Sequence, residues 1–237
     1  MAGIFKFKQF DVDQDGCAMK INTDGVLLGA LADADQPQTI LDIGTGTGVI
    51  ALMLAQRFTN AKIDAVEIDQ SAAETAGRNF NNSPFAERMN LYPVGFEQFF
   101  ESNPAKKYDL IVSNPPFYIN SLKSPQAKRE LAKHADNDFF KNLIYYASKH
   151  LNDRGVMCLI LPLDTVVRVK DIAFKNGLFI QKATSVLSYQ DAEPHREIIV
   201  LSSDSDKATN DKFVIYASPK IYTEQYQETL KDFFTIF

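Results

Sequence analysis

The chain of 237 residues has no tryptophan, two cysteines and three histidines. Cys17 and Cys158 lie far apart, and the sequence contains no Cys-x-x-Cys or His-Glu-x-x-His pattern. Disulfide frameworks and zinc sites are built from clusters of such residues. We therefore predict that the protein binds no metal, and we interpret Cys158, within the apolar run 156–163, as a buried strand residue.

Long hydrophobic segments are also missing. The chain has no run of about 18 apolar residues and no signal peptide, so we expect a cytoplasmic protein without a membrane anchor. The length and an apolar content of 45% fit a single domain, with a leader over residues 1–36 and an α/β core over residues 37–237. We expect a monomer.

Acidic residues outnumber basic ones by 30 to 25, so the net charge is −5. That sign excludes a protein that coats itself with nucleic acid. Basic residues are nevertheless concentrated after residue 122 and near the N-terminus, which favours one local contact with RNA or DNA, although a solvated loop is the simpler alternative. The candidate RNA-binding residues are Lys8, Lys123, Lys128, Arg129 and Lys133.

Three of the eleven glycines stand close together between a short apolar run, residues 40–43, and a helical pattern over residues 49–58. Glycine in such a turn allows sharp bending and lets a ligand approach the backbone. The spacing lacks the sixth-position glycine of a dinucleotide fingerprint, which argues against a pyrophosphate. An acid at the end of the strand could face a sulfonium or ammonium group. The predicted cofactor-binding residues here are Asp42, Gly44, Thr45, Gly46 and Gly48.

The next two predicted strands supply further candidates. Glu67 ends the second strand about 20 residues past the loop, where a carboxylate can accept both hydroxyls of a ribose. Asp69 is better explained as the N-terminal cap of the following helix. The third strand, 89–94, is followed by no acid. Phe96 either packs on an adenine ring of the cofactor or begins a helix with its side chain in the core.

Asn114, Pro115, Pro116 and Phe117 follow the apolar run 109–113. An exocyclic amine on a planar ring is a poor nucleophile, because its lone pair is delocalised. The Asn114 side-chain oxygen and the Pro115 carbonyl can accept both N–H bonds of such an amine, and Phe117 can stack on the ring. Catalysis is then mostly positioning. A strand-ending Pro-Pro turn is the structural alternative.

In the leader, Thr23 and Asp24 have two interpretations. They could bind the ammonium and carboxylate of a methionine moiety, or they could cap the helix that starts there.

The glycine loop, Glu67 and the Asn-Pro-Pro-Phe turn together resemble class I S-adenosylmethionine-dependent methyltransferases. Over nearly its whole length the chain is similar to the bacterial valine-tRNA adenine-37-N6 methyltransferase family. The segments that carry this resemblance are FKQF at Phe7, CAMK at Cys17, TDGVLLGA at Thr23, LDIGTGTG at Leu41, AVEID at Ala65, NNSPFAERMN at Asn81, SNPPFY at Ser113, PQAKRE at Pro125 and PHR at Pro194.

The resemblance implies an α/β, Rossmann-like class I methyltransferase fold, with a mostly parallel seven-stranded sheet and a reversed terminal strand. It implies S-adenosylmethionine as cofactor and tRNA as partner. Residues 114–117 would then hold the adenine, and Lys8 and residues 123–133 would face the tRNA. Phe117 departs from the family, where Tyr is common at this position.

The predicted activity is methylation of N6 of an unpaired adenine in tRNA, at adenine 37 of a valine tRNA. The Asn-Pro-Pro-Phe turn alone also permits protein glutamine-N5, rRNA guanine-N2 or DNA adenine-N6 methylation. An RNA-binding module with a vestigial cofactor pocket is the non-enzymatic alternative.

The later part of the chain predicts helices over 137–150 and 165–176, the second one stopped by Gly177, and a strand over 156–162 between them. Residues 179–189 and 196–202 are predicted as a reversed strand pair. An edge strand over 213–217 and a terminal helix over 222–237 complete the expected fold.

Overall fold

A computed structural model describes residues 3–115, 126–205 and 208–237, and within 126–137 it describes the backbone alone. The strands of these ranges, in chain order, are β1 (Phe5–Lys6), β2 (Asp11–Val12), β3 (Thr39–Ile43), β4 (Lys62–Val66), β5 (Met89–Tyr92), β6 (Tyr108–Ser113), β7 (Leu151–Leu161), β8 (Phe179–Leu187), β9 (Arg196–Ser202), β10 (Thr209–Val214), β11 (Tyr216–Ser218) and β12 (Ile221–Tyr222). The α-helices are α1 (Thr23–Leu31), α2 (Val49–Arg57), α3 (Gln70–Asn81), α4 (Phe96–Ser102), α5 (Gln126–His150), α6 (Leu163–Lys175) and α7 (Glu224–Leu230).

The central sheet has the strand order β10-β8-β9-β7-β6-β3-β4-β5. The strands from β7 to β5 in this order pair in parallel, whereas β9 is antiparallel to both of its neighbours. The predicted mostly parallel sheet with a reversed strand is therefore confirmed. Strand β5, which ends before Pro93, lies at an edge of the sheet.

The structure adds two details to the predicted sheet. The central sheet has eight strands, because the predicted edge strand, which lies at residues 209–214 instead of 213–217, pairs with β8 in parallel. The predicted pair 179–189 and 196–202 is antiparallel, as β8 and β9, and of the two only β9 runs against the rest of the sheet. The reason is the connection: α6 crosses over between β7 and β8 and returns the chain in the same direction, whereas the short loop before β9 permits only an antiparallel return.

Alternate residues of the central strands face opposite helical layers. Ile40 and Leu110 pack towards α1, α2, α3 and α7, and Leu41 and Ile111 pack towards α4, α5 and α6. Strands covered on both faces need apolar side chains at nearly every position, which is why they appear in the sequence as continuous apolar runs. No helix in the described part of the chain is both long and apolar enough to span a bilayer.

The ends of several predicted helices differ from the structure. Helix α5 begins at Gln126 instead of 137, and the predicted terminal helix over 222–237 is reduced to α7. Tyr222 lies in β12 and stacks on Tyr226 with 4.5 Å between the ring centroids, and Tyr226 is buried in the core. Gly177, with φ +73°, follows α6 as the predicted stop.

Candidate active site

The candidate site lies where three neighbouring strands end at the same level. Ile43 of β3 pairs with Val66 of β4 on one side and with Ser113 of β6 on the other. The Ser113 hydroxyl also donates a hydrogen bond of 2.8 Å to the Ile43 carbonyl, which fixes the two strand ends to each other. The next residues along the chain are Gly44, Glu67 and Asn114. Ligands of open α/β sheets bind at this carboxyl edge.

The three loop glycines have positive φ angles of +72°, +57° and +83° at Gly44, Gly46 and Gly48. A Cβ built on Gly44 or Gly46 meets no atom within 4 Å, whereas one built on Gly48 lies 2.4 Å from Cε1 of Phe80. Open space therefore faces the first two glycines, as a cofactor site requires. The prediction that Gly48 contacts the cofactor is not supported by this geometry, because the close approach of Phe80 already explains the glycine.

Asp42 is completely buried beneath this loop. Its Oδ2 accepts a hydrogen bond of 2.6 Å from the Thr45 hydroxyl, whereas its Oδ1 makes no close hydrogen bond among the described residues, although the backbone N–H of Ala51 also acts on the carboxylate. Burial raises the pKa of Asp42 to about 7, although the hydrogen bond from Thr45 opposes the shift. A buried acceptor without a partner costs about 1–3 kcal/mol. A cationic ligand group above the loop would not touch this buried oxygen, but it would stabilise the negative charge of Asp42 through space, so the residues fit the expected cofactor.

Glu67 connects the glycine loop to the start of α3. The backbone N–H of Gly46 donates to Oε2 and that of Asp69 donates to Oε1, each at 2.9 Å. Each carboxylate oxygen has a further lone pair, so Glu67 can still accept hydroxyl groups of a ribose. The Asp69 side chain accepts from the N–H of Ala72 at 2.8 Å, which confirms the predicted helix cap.

The predicted role of Phe96 as a stacking surface is wrong for its side chain. The Phe96 ring is 6% exposed and contacts Phe139 and Tyr146 edge-on, with centroid distances of 5.5 and 6.3 Å. The core alternative therefore holds, because the spacing of 96, 99 and 100 points all three Phe rings of α4 inward.

Ile68 is an apolar side chain at this edge that sequence reasoning missed. It follows Glu67 directly, is 78% exposed and has its Cδ1 3.3 Å from the position of a Cβ on Gly95. An apolar residue between two acids at a strand end was the available signal. Ile68 and the side-chain-free Gly95 together leave room and an apolar surface for a flat ring.

Hydrogen bonds of Asn79 in α3 join the leader to the site, and sequence reasoning missed this residue as well. Asn79 is buried, accepts from the N–H of Asp13 at 2.9 Å and donates to the Asp13 carbonyl at 2.9 Å. The same amide donates to the Thr47 carbonyl at 2.8 Å. One side chain thus joins the leader, the glycine loop and α3.

The start of α1 lies against the end of β6. The cap of α1 is Asn22, whose side chain accepts from the N–H of Gly25 at 2.9 Å, so the interpretation of Thr23 and Asp24 as the cap is wrong. Asp24 Oδ2 accepts from Nε of Arg196 at 2.8 Å, so this oxygen already has a cationic partner other than the cofactor. A contact of Thr23 with the cofactor stays a prediction.

Only part of the Asn-Pro-Pro-Phe turn is described. Asn114 is half-buried and Pro115 is buried, whereas Pro116 and Phe117 lie outside the described residues. The Nδ2 atom of Asn114 lies 3.7 Å from the position of a Cβ on Gly25. The turn and the first turn of α1 are therefore neighbours.

The structure describes the side chain of only one of the five candidate RNA-binding residues. Lys8 donates to the carbonyls of Lys231 and Phe237 at 2.5 and 2.8 Å, so its ammonium group fastens the C-terminal segment and its predicted contact with tRNA is not supported. Lys123 lies outside the described residues. Helix α5 includes the other three candidates, but its side chains before residue 138 are outside the description; these residues are Lys128, Arg129 and Lys133.

Comparison with known proteins identifies the family. A family model described as the methyltransferase small domain matches residues 20–168. The tRNA1(Val) (adenine(37)-N6)-methyltransferase of Pedobacter heparinus is 46% identical over 237 residues, which is 100% of both chains. The chain belongs to this methyltransferase family. Proteins of the same name are 42% identical in Christiangramia forsetii, over 97% of both chains, and 36% identical in Escherichia fergusonii, over 97% of this chain and 94% of the other.

Solved structures confirm the fold of this methyltransferase. One described as a predicted O-methyltransferase of Agrobacterium tumefaciens has a TM-score of 0.69 at 18% identity, covering 89% of this chain and 96% of the other. TrmN of Thermus thermophilus has a TM-score of 0.55 at 19% identity, covering 76% of this chain and 47% of the other. The methyltransferase therefore has the class I fold. Within the described residues, no three His, Cys, Asp or Glu side chains are grouped to hold a metal ion.

Proposed function

We propose that this methyltransferase transfers the methyl group of S-adenosylmethionine to N6 of adenine 37 in a valine tRNA. The observation that carries the proposal is the row of strand ends at which Glu67, Gly44 and Asn114 follow three paired residues. With neighbouring strands about 4.8 Å apart, the backbones of Glu67 and Asn114 lie on opposite sides of the glycine loop, about 10 Å from each other. The names of the full-length relatives support the same substrate.

The cofactor would lie across this row and supply an electrophilic methyl group on its sulfonium. The open space at Gly44 and Gly46 would accommodate its methionine end, and the buried carboxylate of Asp42 would act on its positive charge through space. Glu67 would accept the ribose hydroxyls, and Ile68 would pack on the adenine ring.

Catalysis would depend on Asn114 and Pro115. The Asn114 side-chain oxygen and the Pro115 carbonyl would accept the two N–H bonds of the target amine, which favours a pyramidal nitrogen with its lone pair free. No strong base is required, because the proton leaves after the methyl group has been transferred. The rate then depends on how accurately these acceptors are held, and the Ser113–Ile43 hydrogen bond fixes the strand ends beside them.

The proposed substrate fits the charge of the protein. A base in an anticodon loop is already unpaired, so presenting it costs less than flipping a base from a duplex. The net charge of −5 requires that the tRNA contact be local, and the basic residues of 123–133 are the proposed contact. With such a substrate the protein would act in the cytoplasm, and we propose that it acts as a monomer without a metal ion.

Substitution of Asn114 by Ala tests the proposal. We expect transfer of labelled methyl from S-adenosylmethionine to tRNA to fall at least about 100-fold, because two positioned hydrogen bonds to the amine become one. Cofactor affinity, measured by calorimetry, should change less than about threefold. Asn210→Ala, at an exposed position of the outer strand β10, is the matched control and should retain wild-type transfer.

Two outcomes would contradict the proposal. Near-normal turnover in a folded Asn114→Ala variant would exclude Asn114 as the amine acceptor. Label in a glutamine-containing peptide, rRNA or duplex DNA, with none in tRNA, would retain the chemistry of the site and change its substrate.

A further inference from the structure

An ion pair joins the beginning of α1 to the beginning of β9, at the edge of the sheet that carries the candidate site. Nε of Arg196 lies 2.8 Å from Oδ2 of Asp24, although 172 residues separate the two in sequence. Their side chains are 29% and 18% exposed, so the pair is better shielded than an ordinary surface ion pair. Arg196 also donates from Nη1 to the His195 carbonyl at 2.8 Å, which orients the guanidinium on its own strand.

The helical turn that carries Asp24 is the one that lies against the catalytic turn. Gly25 follows Asp24 directly, and Asn114 Nδ2 lies 3.7 Å from the position that a Cβ on Gly25 would occupy. Because β9 is antiparallel to β7, it begins at the edge where the parallel strands end. Arg196 can therefore reach α1 from the opposite side of the site and hold it in place.

We propose that Arg196 is a positioning residue of the methyltransferase, which holds the first turn of α1 against Asn114 through its ion pair with Asp24. The Asn114 amide then has a fixed neighbour, and its oxygen is directed towards the target amine. The inference depends on the role proposed above for Asn114. It differs from the sequence-based prediction that Asp24 binds the cofactor, since here Asp24 acts only through Arg196.

A double-mutant cycle distinguishes the two roles. We expect Asp24→Asn and Arg196→Gln each to lower kcat for tRNA by about 10- to 100-fold, since small displacements of catalytic groups have effects of this size. The kcat of the double variant should be no lower than that of the less active single variant, because the partners act as a unit. Cofactor affinity should stay within about threefold in all three. Arg196→Lys, which keeps the charge, should retain more activity than Arg196→Gln.

The Lys182–Asp211 pair provides the matched control. It joins the neighbouring strands β8 and β10 at 3.1 Å, with both side chains about half exposed. Lys182→Gln removes a more exposed ion pair that also joins two elements but involves neither α1 nor β9, and it should leave kcat unchanged.

The nitrogen-15 NMR signal of the Asn114 side chain gives a readout that does not depend on activity. The signal is identified by its loss in Asn114→Ala, and it should shift in Arg196→Gln but not in Lys182→Gln. An unchanged signal in folded Arg196→Gln would overturn the inference, as would additive losses in the cycle or loss of cofactor affinity in Asp24→Asn alone. If the wild-type enzyme does not methylate tRNA, the proposed function fails, while the NMR signal still tests the positioning.

Discussion

Gly46→Ala and Gly48→Ala form a matched pair of substitutions within one loop. Both glycines have left-handed φ angles, +57° and +83°, so alanine at either position introduces a backbone strain of about 1–2 kcal/mol. The two positions differ in what the added methyl group meets. At Gly46 it meets no protein atom within 4 Å, and at Gly48 it lies 2.4 Å from the Phe80 ring.

The expected magnitudes follow from these contacts. The contact at Gly48 is about 1 Å shorter than an ordinary van der Waals contact, and Phe80 is 3% exposed, so the ring cannot move into solvent. Overpacking adds about 1–3 kcal/mol to the strain, and Gly48→Ala should therefore lose about 2–5 kcal/mol of the free energy of unfolding. Gly46→Ala should lose only the strain. Its methyl group instead occupies the proposed cofactor space, and cofactor affinity should fall at least tenfold, or about 1.4 kcal/mol.

Urea denaturation without cofactor and calorimetric titration with S-adenosylhomocysteine measure the two quantities separately. Gly46→Ala should be the more stable variant and the weaker binder. Gly48→Ala, measured at a temperature where it is folded, should bind nearly as wild type. Wild-type affinity in Gly46→Ala, or equal stability of the two variants, would refute the assignment of Gly46 to the ligand and Gly48 to packing.

Three further predictions concern single side chains. The pKa of Asp42, about 7, lies above the ordinary value of 3.8, so the free energy of unfolding should fall as pH rises from about 4 to 7. Asp42→Asn should remove this pH dependence in urea denaturation, and its free energy of unfolding at pH 8 should exceed that of the wild type by on the order of 2–4 kcal/mol. The same variant should lose cofactor affinity. An unchanged pH dependence would contradict the account. Ile68→Ser should weaken cofactor binding about fivefold by calorimetry without lowering the melting temperature, because the side chain is 78% exposed. Lys8→Met should lower the melting temperature slightly and leave KM for tRNA unchanged, whereas a raised KM would restore Lys8 to the RNA contact.

The parts of the site that follow parallel strands could be predicted from the sequence. A buried strand, a glycine-rich turn and a helix form a local pattern, and the carboxyl ends of successive parallel strands meet at one edge. The proximity of Gly44, Glu67 and Asn114 could therefore be predicted without any knowledge of long-range contacts. The Asp69 cap was predictable for the same reason, since it depends on residues 69–72 alone.

The contacts that join distant segments could not be predicted in this way. Asn79 has no local feature that distinguishes it from other helix asparagines, and its three hydrogen bonds depend on where the leader crosses α3. Arg196 meets Asp24 only because β9 runs antiparallel to its neighbours. Lys8 looked like an RNA contact because charge can be read from the sequence, whereas the carbonyls that it binds belong to the C-terminal segment.

A different cause explains why Phe96 was predicted to contact the cofactor ring and Ile68 was missed. Hydrophobicity predicts burial, and an exposed Ile beside a buried Phe opposes that trend. Helical spacing places Phe96 on the inner face of α4, whereas Ile68 lies two residues beyond the end of β4, after Glu67, and its side chain is exposed. An exposed apolar side chain at a ligand-binding edge indicates a contact that the ligand would complete.

Nucleoside analysis of methylated tRNA tests the central claim most directly. Total tRNA from cells that lack this gene would be incubated with the protein and S-adenosylmethionine carrying a labelled methyl group, then digested and analysed by mass spectrometry. The account predicts labelled N6-methyladenosine, confined to a valine tRNA and absent with Asn114→Ala. No labelled N6-methyladenosine in tRNA, from a protein that binds the cofactor, would contradict it.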